Sequence, residues 1–140
     1  MDFTLPDHLP GLLAEMDAFI DVEIAPLQAE HPQYFDRRRE FARTDLAAGG
    51  IPARDWEDLL DEMRRRADAA GWLRYSLPAA LGGRDGSNLD MAVIREHLAH
   101  KGLGLHNDLQ DESSIVGNFP QVIMMERFGT AEQRQVWSEA

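Results

Sequence analysis

The chain has 140 residues, of which 44% are hydrophobic, and this length and apolar content predict one folded unit over residues 1–140. Its 25 Asp and Glu residues outnumber 14 Lys and Arg residues, so the formal net charge of -11 argues against nucleic acid or an anionic membrane as a partner. The absence of cysteine, of an export signal and of an apolar run of ~20 residues favours a protein of the cytoplasm.

The first predicted helix runs from about Leu9 to Glu30, because apolar residues recur there at three- and four-residue steps. Pro26 lies inside this range, lacks an N–H group and clashes with the carbonyl group of Val22. We therefore expect a helix that bends or ends early at this proline.

The segment Gln33–Ala53 follows, and its apolar residues hold no period. It contains the basic run Arg37–Arg39 and the pair Gly49–Gly50. The composition predicts a long irregular surface excursion with room for one short helical turn.

Two further helices are predicted on either side of a loop rich in glycine and proline. Gly71 can form the left-handed cap that ends the first of them. Ser87 can cap the second, and Asp90 can complete a capping box. Apolar residues cover more than half of the surface of the second helix, which predicts burial on several sides. The helix that ends at Gly71 has one apolar face, which consists of Trp56, Leu59, Leu60, Met63, Ala67 and Ala70.

A polar link, His106–Ser114, separates these helices from an apolar helix predicted to run from Ile115 to Phe128. Pro120 predicts a kink or a late start in that helix. Thr130 can open a fifth helix, with Gln133 completing a capping box. Because no segment shows sustained alternation of period two, the predicted fold is all-α, a bundle of about four to five helices with a long insertion after the first.

Three segments resemble the acyl-CoA dehydrogenase family. Gly71–Gly83 is similar to the "G…P…GG" loop of that family, and Leu89–Ala99 matches its helix ending in "E-x-L-A". Phe128–Arg134 looks like its "(Y/F)GT-x-EQ-(K/R)" signature. The chain is therefore similar to the N-terminal helical domain of the family. Gln33–Ala53 and Phe119–Phe128 are longer than usual, which indicates a divergent branch.

This resemblance implies an intact flavoprotein with a β-barrel middle domain and a C-terminal four-helix bundle, assembled as a dimer or tetramer. FAD would lie among those two domains and a neighbouring subunit. In the family, a Glu removes the α-proton of an acyl-CoA thioester while a hydride leaves the β-carbon for the flavin, a step of fatty acid metabolism. That Glu and the flavin motif "TEP…GSD" have no counterpart in these 140 residues. We therefore assign no catalytic or flavin-binding residue here, and we expect the chain alone to be inactive and free of FAD.

The polar link is the expected functional segment, because short polar groups between apolar helices are costly to bury without partners. The resemblance places it in the wall of the acyl pocket, and the alternative is a solvent-exposed connection. The candidate substrate-binding residues are Asn107, Gln110, Ser113 and Ser114.

Other conspicuous residues predict no site. Glu96, His97 and His100 lack the paired Glu-x-x-His motifs of di-metal bundles, so no metal is expected. Acidic residues flank Arg37–Arg39 and Arg64–Arg66, which favours solvated charge over contacts with coenzyme A phosphates. The rival functions are a freestanding helical interaction module without catalysis and a metal-binding bundle. If the chain is instead a domain that other domains of an enzyme cover, it should expose apolar surface when it is isolated.

Overall fold

The computed structural model describes residues 4–107 and 114–138, without the side chains of Arg37, Arg39, Glu40, Trp137 and Ser138. The fold is mainly helical, as predicted. Its helices are α1 (Leu9–Phe19), α2 (Ala25–Ala29), α3 (Arg54–Ala69), α4 (Asn88–His100), α5 (Pro120–Phe128) and α6 (Ala131–Ser138). None of the helices in the described ranges has both the length and the apolar composition that a bilayer crossing requires.

The first predicted helix is present, and its bend is a π-helical turn, Ile20–Ile24, that joins α1 to α2. Pro26 has no N–H group, so the regular ladder of hydrogen bonds cannot continue through it. The N–H group of Ala25 instead reaches the carbonyl group of Ile20, five residues earlier. The turn keeps the apolar stripe facing inward, and its buried residues are Leu9, Leu12, Met16, Ile20, Ile24 and Leu27.

The segment between α2 and α3 is more ordered than predicted. It contains two 3-10 helices, Pro32–Tyr34 and Arg37–Arg43, and strand β1 (Thr44–Asp45) pairs antiparallel with β2 (Ile51–Pro52). Gly49 and Gly50 close the hairpin with positive φ angles of 90° and 85°. The expectation of an irregular excursion was therefore wrong in this detail.

Arg43 fixes this segment to the body of the domain. Its guanidinium group lies 4.2 Å from the ring centroid of Trp56 and 5.4 Å from that of Phe35. Its Nε atom donates to the carbonyl oxygen of Tyr34 at 3.0 Å, and its own carbonyl oxygen accepts from the N–H group of Ala53 at 2.9 Å. The excursion is thus a structured protrusion rather than a loose link.

The loop between α3 and α4 contributes to the core. Gly71 ends α3 with a positive φ of 76°, as predicted, and Trp72 and Tyr75 are buried directly after it. A Cβ atom on Gly83 would lie 1.9 Å from the carbonyl oxygen of Leu77. The second glycine of the "GG" pair is therefore required by the close approach of two backbone segments.

Helix α4 begins with the predicted capping box between Ser87 and Asp90. The helix packs against α1, and its buried residues are Asp90, Ile94 and Leu98. The prediction of burial on several sides was wrong, because Met91 is half-buried and Ala92 is exposed.

Helix α5 begins at Pro120, so the late start is correct and Ile115 and Val116 enter the core as non-helical chain. Thr130 and Gln133 form the predicted capping box of α6. Helix α5 contains no buried residue. Large apolar side chains on this pair of helices face solvent, at 61% for Met124, 81% for Phe128 and 62% for Val136.

Candidate functional site

The two ends of the polar link are held together beside the core. Asn107 forms antiparallel bridges with Gly104 and with Ser114. The N–H group of Ile115 donates to the carbonyl oxygen of His106 at 3.3 Å. Of the four predicted substrate-binding residues, Asn107 and Ser114 are thus brought together. The other two, Gln110 and Ser113, lie outside the described residues.

The Ser114 side chain is engaged by the loop itself. It is 3% exposed, its Oγ atom donates to the carbonyl oxygen of His106 at 3.3 Å, and it accepts from the N–H group of Val116 at 3.4 Å. Asn107 is half-buried. The hydroxyl group of Ser114 is therefore used within the loop, whereas part of Asn107 remains exposed.

His106 is a buried polar residue of this site that sequence reasoning missed. Its side chain is 9% exposed, and its Nε2 atom has no hydrogen-bond partner among the described residues. Burial lowers the pKa of His106 below its ordinary value, with the charge of Lys101 acting in the same direction and backbone hydrogen bonds to Gly102 and Leu98 opposing it. The imidazole is therefore neutral at pH 7.

The side chains of His106 and Gln28 lie close to Gly104. A Cβ atom on Gly104 would lie 2.8 Å from Nδ1 of His106 and 2.8 Å from Oε1 of Gln28. The same Gln28 oxygen accepts from the N–H group of Leu105 at 2.7 Å. Helix α2 and the glycine therefore position the start of the polar link.

Some of the cavities among the described residues lie beside arginine side chains. One is a groove of about 610 Å³, and its guanidinium group, Arg38, is bound by both carboxylate oxygens of Asp36 at 3.0 and 3.1 Å. A smaller pocket of about 240 Å³ lies beside Leu73 and Phe119 and is lined partly by Arg64, which pairs with Asp61 at 3.1 Å.

The arginines of α3 are paired with carboxylates of the same helix. Glu62 accepts from Arg66 at 2.7 Å and from Arg65 at 2.8 Å. The hydrogen bonds from Arg66 and then Arg65 lower the pKa of Glu62 below its ordinary value. These contacts agree with solvated charge rather than a phosphate site.

The histidines of α4 also have carboxylate neighbours. Nε2 of His97 lies 2.8 Å from Oδ1 of Asp17, and Nε2 of His100 lies 3.9 Å from Oε1 of Glu96. Within residues 4–107 and 114–138, no three His, Asp or Glu side chains come together as a metal site.

These features define a helical domain in which a glycine- and proline-containing loop enters the core and a short polar segment is pinched beside it. Residues 28–140 match the family described as "Acyl-CoA dehydrogenase, N-terminal domain". The chain belongs to this family. No curated protein and no solved structure matches it.

Proposed function

We propose that residues 1–140 form one domain, the substrate-side N-terminal domain of a flavin-dependent acyl-CoA dehydrogenase of the cytoplasm. The intact enzyme, a dimer or tetramer, would introduce a double bond between the α- and β-carbons of an acyl-CoA thioester. FAD would accept the hydride there. The family match over residues 28–140 supports this proposal, and the pairing of Asn107 with Ser114 is the observation that carries it.

The part of this chain in that reaction is binding and exclusion of water. The pinched segment would form one wall of the acyl pocket, with Asn107, Gln110 and Ser113 facing substrate and Ser114 holding the loop closed. His106 would be a positioning residue, since its ring packs against Gly104 at the base of the segment. A wall of this kind shields reactive intermediates from water.

The catalytic base and the flavin site would come from other parts of the enzyme, because the family motifs for both have no counterpart in these 140 residues. The chain alone is then expected to oxidise no acyl-CoA.

The test uses the full coding sequence that contains these 140 residues, expressed with FAD and assayed for acyl-CoA-dependent reduction of a dye over several acyl chain lengths. Asn107→Ala should raise KM for acyl-CoA by about tenfold while the flavin content is unchanged. The matched control is Asn88→Ala, because Asn88 is exposed and begins α4. Absence of flavin reduction with every acyl-CoA, or equal effects of the two variants, would contradict the proposal.

The second candidate is a freestanding helical interaction module. The exposed Met124, Phe128 and Val136 support the first candidate instead, because a domain that other domains cover exposes apolar surface when it is alone. The flavin content of the full-length product separates the two candidates, since a module would be purified without FAD.

A further inference from the structure

A small pocket lies between α1 and the loop that joins α3 to α4. Its volume is about 320 Å³, and none of the described residues that line it belongs to the polar link. The α1 residues of the lining follow each other at steps of three, one and three positions, so they share one face of the helix. The lining consists of His8, Gly11, Leu12 and Glu15 from the α1 side and of Tyr75 and Arg84 from the loop. The pocket therefore combines apolar, acidic and basic groups.

The guanidinium group of Arg84 is held in place beside this pocket. It lies 4.9 Å from the ring centroid of Trp72 and 5.4 Å from that of Tyr75, and both rings are buried. Nη2 of Arg84 lies 3.7 Å from Oε2 of Glu15, which is an ion pair but too long for a hydrogen bond. Among the described residues, no oxygen accepts a hydrogen bond from this guanidinium group. Its N–H donors are therefore available to a ligand.

His8 contributes an acceptor to the same pocket. Its Nε2 atom lies 2.9 Å from Oδ1 of Asp90, and the other oxygen of Asp90 accepts from the N–H group of Ser87 at 2.9 Å. A carboxylate only accepts hydrogen bonds, so Nε2 of His8 carries a proton and Nδ1 is an acceptor in the neutral ring. The pocket thus offers donors from Arg84 and acceptors from His8 and Glu15.

Gly11 leaves apolar space in the pocket. A Cβ atom added to Gly11 would meet nothing within 4 Å, and the neighbouring Leu12 is 8% exposed. An apolar group of a ligand can therefore lie over Gly11 and against Leu12 without displacing any described atom.

We propose that this pocket binds a free α-amino acid with an apolar side chain. The α-carboxylate accepts from Arg84, and the α-ammonium group donates to Glu15. Because both ligand groups are attached to one carbon atom, they match a guanidinium and a carboxylate that lie 3.7 Å apart, and the four charges alternate around a closed ring. The ligand leaves the existing ion pair in place and adds no net charge. The inference does not depend on the proposed acyl-CoA dehydrogenase activity.

Isothermal titration of the 140-residue chain with L-leucine near neutral pH tests this proposal. The dissociation constant should be on the order of 1 mM, as expected for a small ligand in an open pocket. Two analogues each lack one of the charged groups, 4-methylpentanoate without the ammonium group and 3-methylbutylamine without the carboxylate. Each should bind at least about tenfold more weakly, because one of the two charge-assisted contacts is lost.

Three variants test the lining residues. Arg84→Met and Glu15→Gln should each weaken L-leucine binding by about tenfold or more. Gly11→Leu should abolish binding, because the new side chain fills the pocket, and it should fold normally because its Cβ atom meets no other atom. The matched control is Arg95→Met, since Arg95 is an exposed arginine of α4 outside the lining. Circular dichroism should show that every variant is folded.

Absence of saturable binding by L-leucine would overturn the proposal. Equal affinity for 4-methylpentanoate or for 3-methylbutylamine would also overturn it, because the two charged groups would not be recognised together. Wild-type binding by Gly11→Leu, or an equal loss of affinity in Arg84→Met and Arg95→Met, would show that the amino acid binds elsewhere.

Discussion

Nη1 of Arg66 donates a hydrogen bond to the carbonyl oxygen of Glu23 at 2.9 Å and joins the middle of α3 to the π-helical turn. This turn exists because Pro26 interrupts the hydrogen-bond ladder of the first helix. Arg66 therefore supplies a side-chain donor at the place where the helix bends. Arg65, its neighbour in the sequence, also contacts Glu62 on the surface of α3, but it is Arg66 that reaches the turn.

We expect Arg66→Met to lower the free energy of unfolding by about 1–2 kcal/mol, because a charged donor to a backbone carbonyl is lost while the apolar stem is kept. Arg65→Met is the control, since the Arg65 side chain is 70% exposed, and it should cost no more than about 0.5 kcal/mol. Urea unfolding measures both values. Equal losses would show that the link to the bent helix contributes nothing.

Gly83→Ala should destabilise the domain by more than about 2 kcal/mol, because the new Cβ atom would collide with backbone rather than with a movable side chain. The comparison is Gly50→Ala, where φ is 85° and nothing lies within 4 Å of the added atom. That variant should lose only about 1 kcal/mol from backbone strain. Thermal unfolding would contradict this explanation if the two variants lost the same stability.

The two capping boxes should differ in their contribution to stability. Asp90 is 7% exposed and accepts from the N–H group of Ser87 and from His8, both at 2.9 Å. Ser87→Ala should therefore cost about 1 kcal/mol, while Thr130→Ala at the exposed start of α6 should cost about 0.5 kcal/mol. Chemical unfolding measures the loss of stability in each variant. A larger loss for Thr130→Ala than for Ser87→Ala would contradict the idea that burial strengthens a capping box.

Burial lowers the pKa of His106 in the folded chain below the ordinary value of 6.5, so the unfolded chain binds the proton more readily. The free energy of unfolding should then decrease as pH falls through about 6.5 towards the folded pKa, and it should be fully recovered above that range. His106→Gln removes this titration and should reduce the loss of stability between pH of about 7.5 and 5.5. His100→Gln is the control, because the side chain of His100 is 79% exposed. An equal effect of the two variants would assign the pH dependence to another group.

The sequence predicted the helices well where local rules decide them. The spacing of leucines indicated the first helix, and Ser87 with Asp90 and Thr130 with Gln133 indicated two helix starts that the structure confirms. The hairpin of the protrusion could not be predicted in this way. It depends on Arg43 lying over Trp56, a contact between residues that no local pattern connects.

The site was predicted only in part. Polarity between apolar helices pointed to the segment that contains Asn107 and Ser114, but it did not indicate that these residues pair. The pairing depends on Leu105 and Ile115 entering the core on both sides of the segment. The burial of His106 follows from the same packing. A histidine beside a polar run gives no local signal of burial, so this residue could be found only in three dimensions.

The cation–π contacts also provide two optical reporters. Trp56 lies beneath Arg43 of the protrusion, whereas Trp72 lies in the loop after α3 with the guanidinium group of Arg84 4.9 Å from its ring centroid. Both indoles are buried, so loss of either contact would expose a fluorophore to water. With Trp137 replaced by Phe, replacing one of these two tryptophans at a time with Phe would let the emission spectrum follow the opening of the protrusion separately from the opening of the loop.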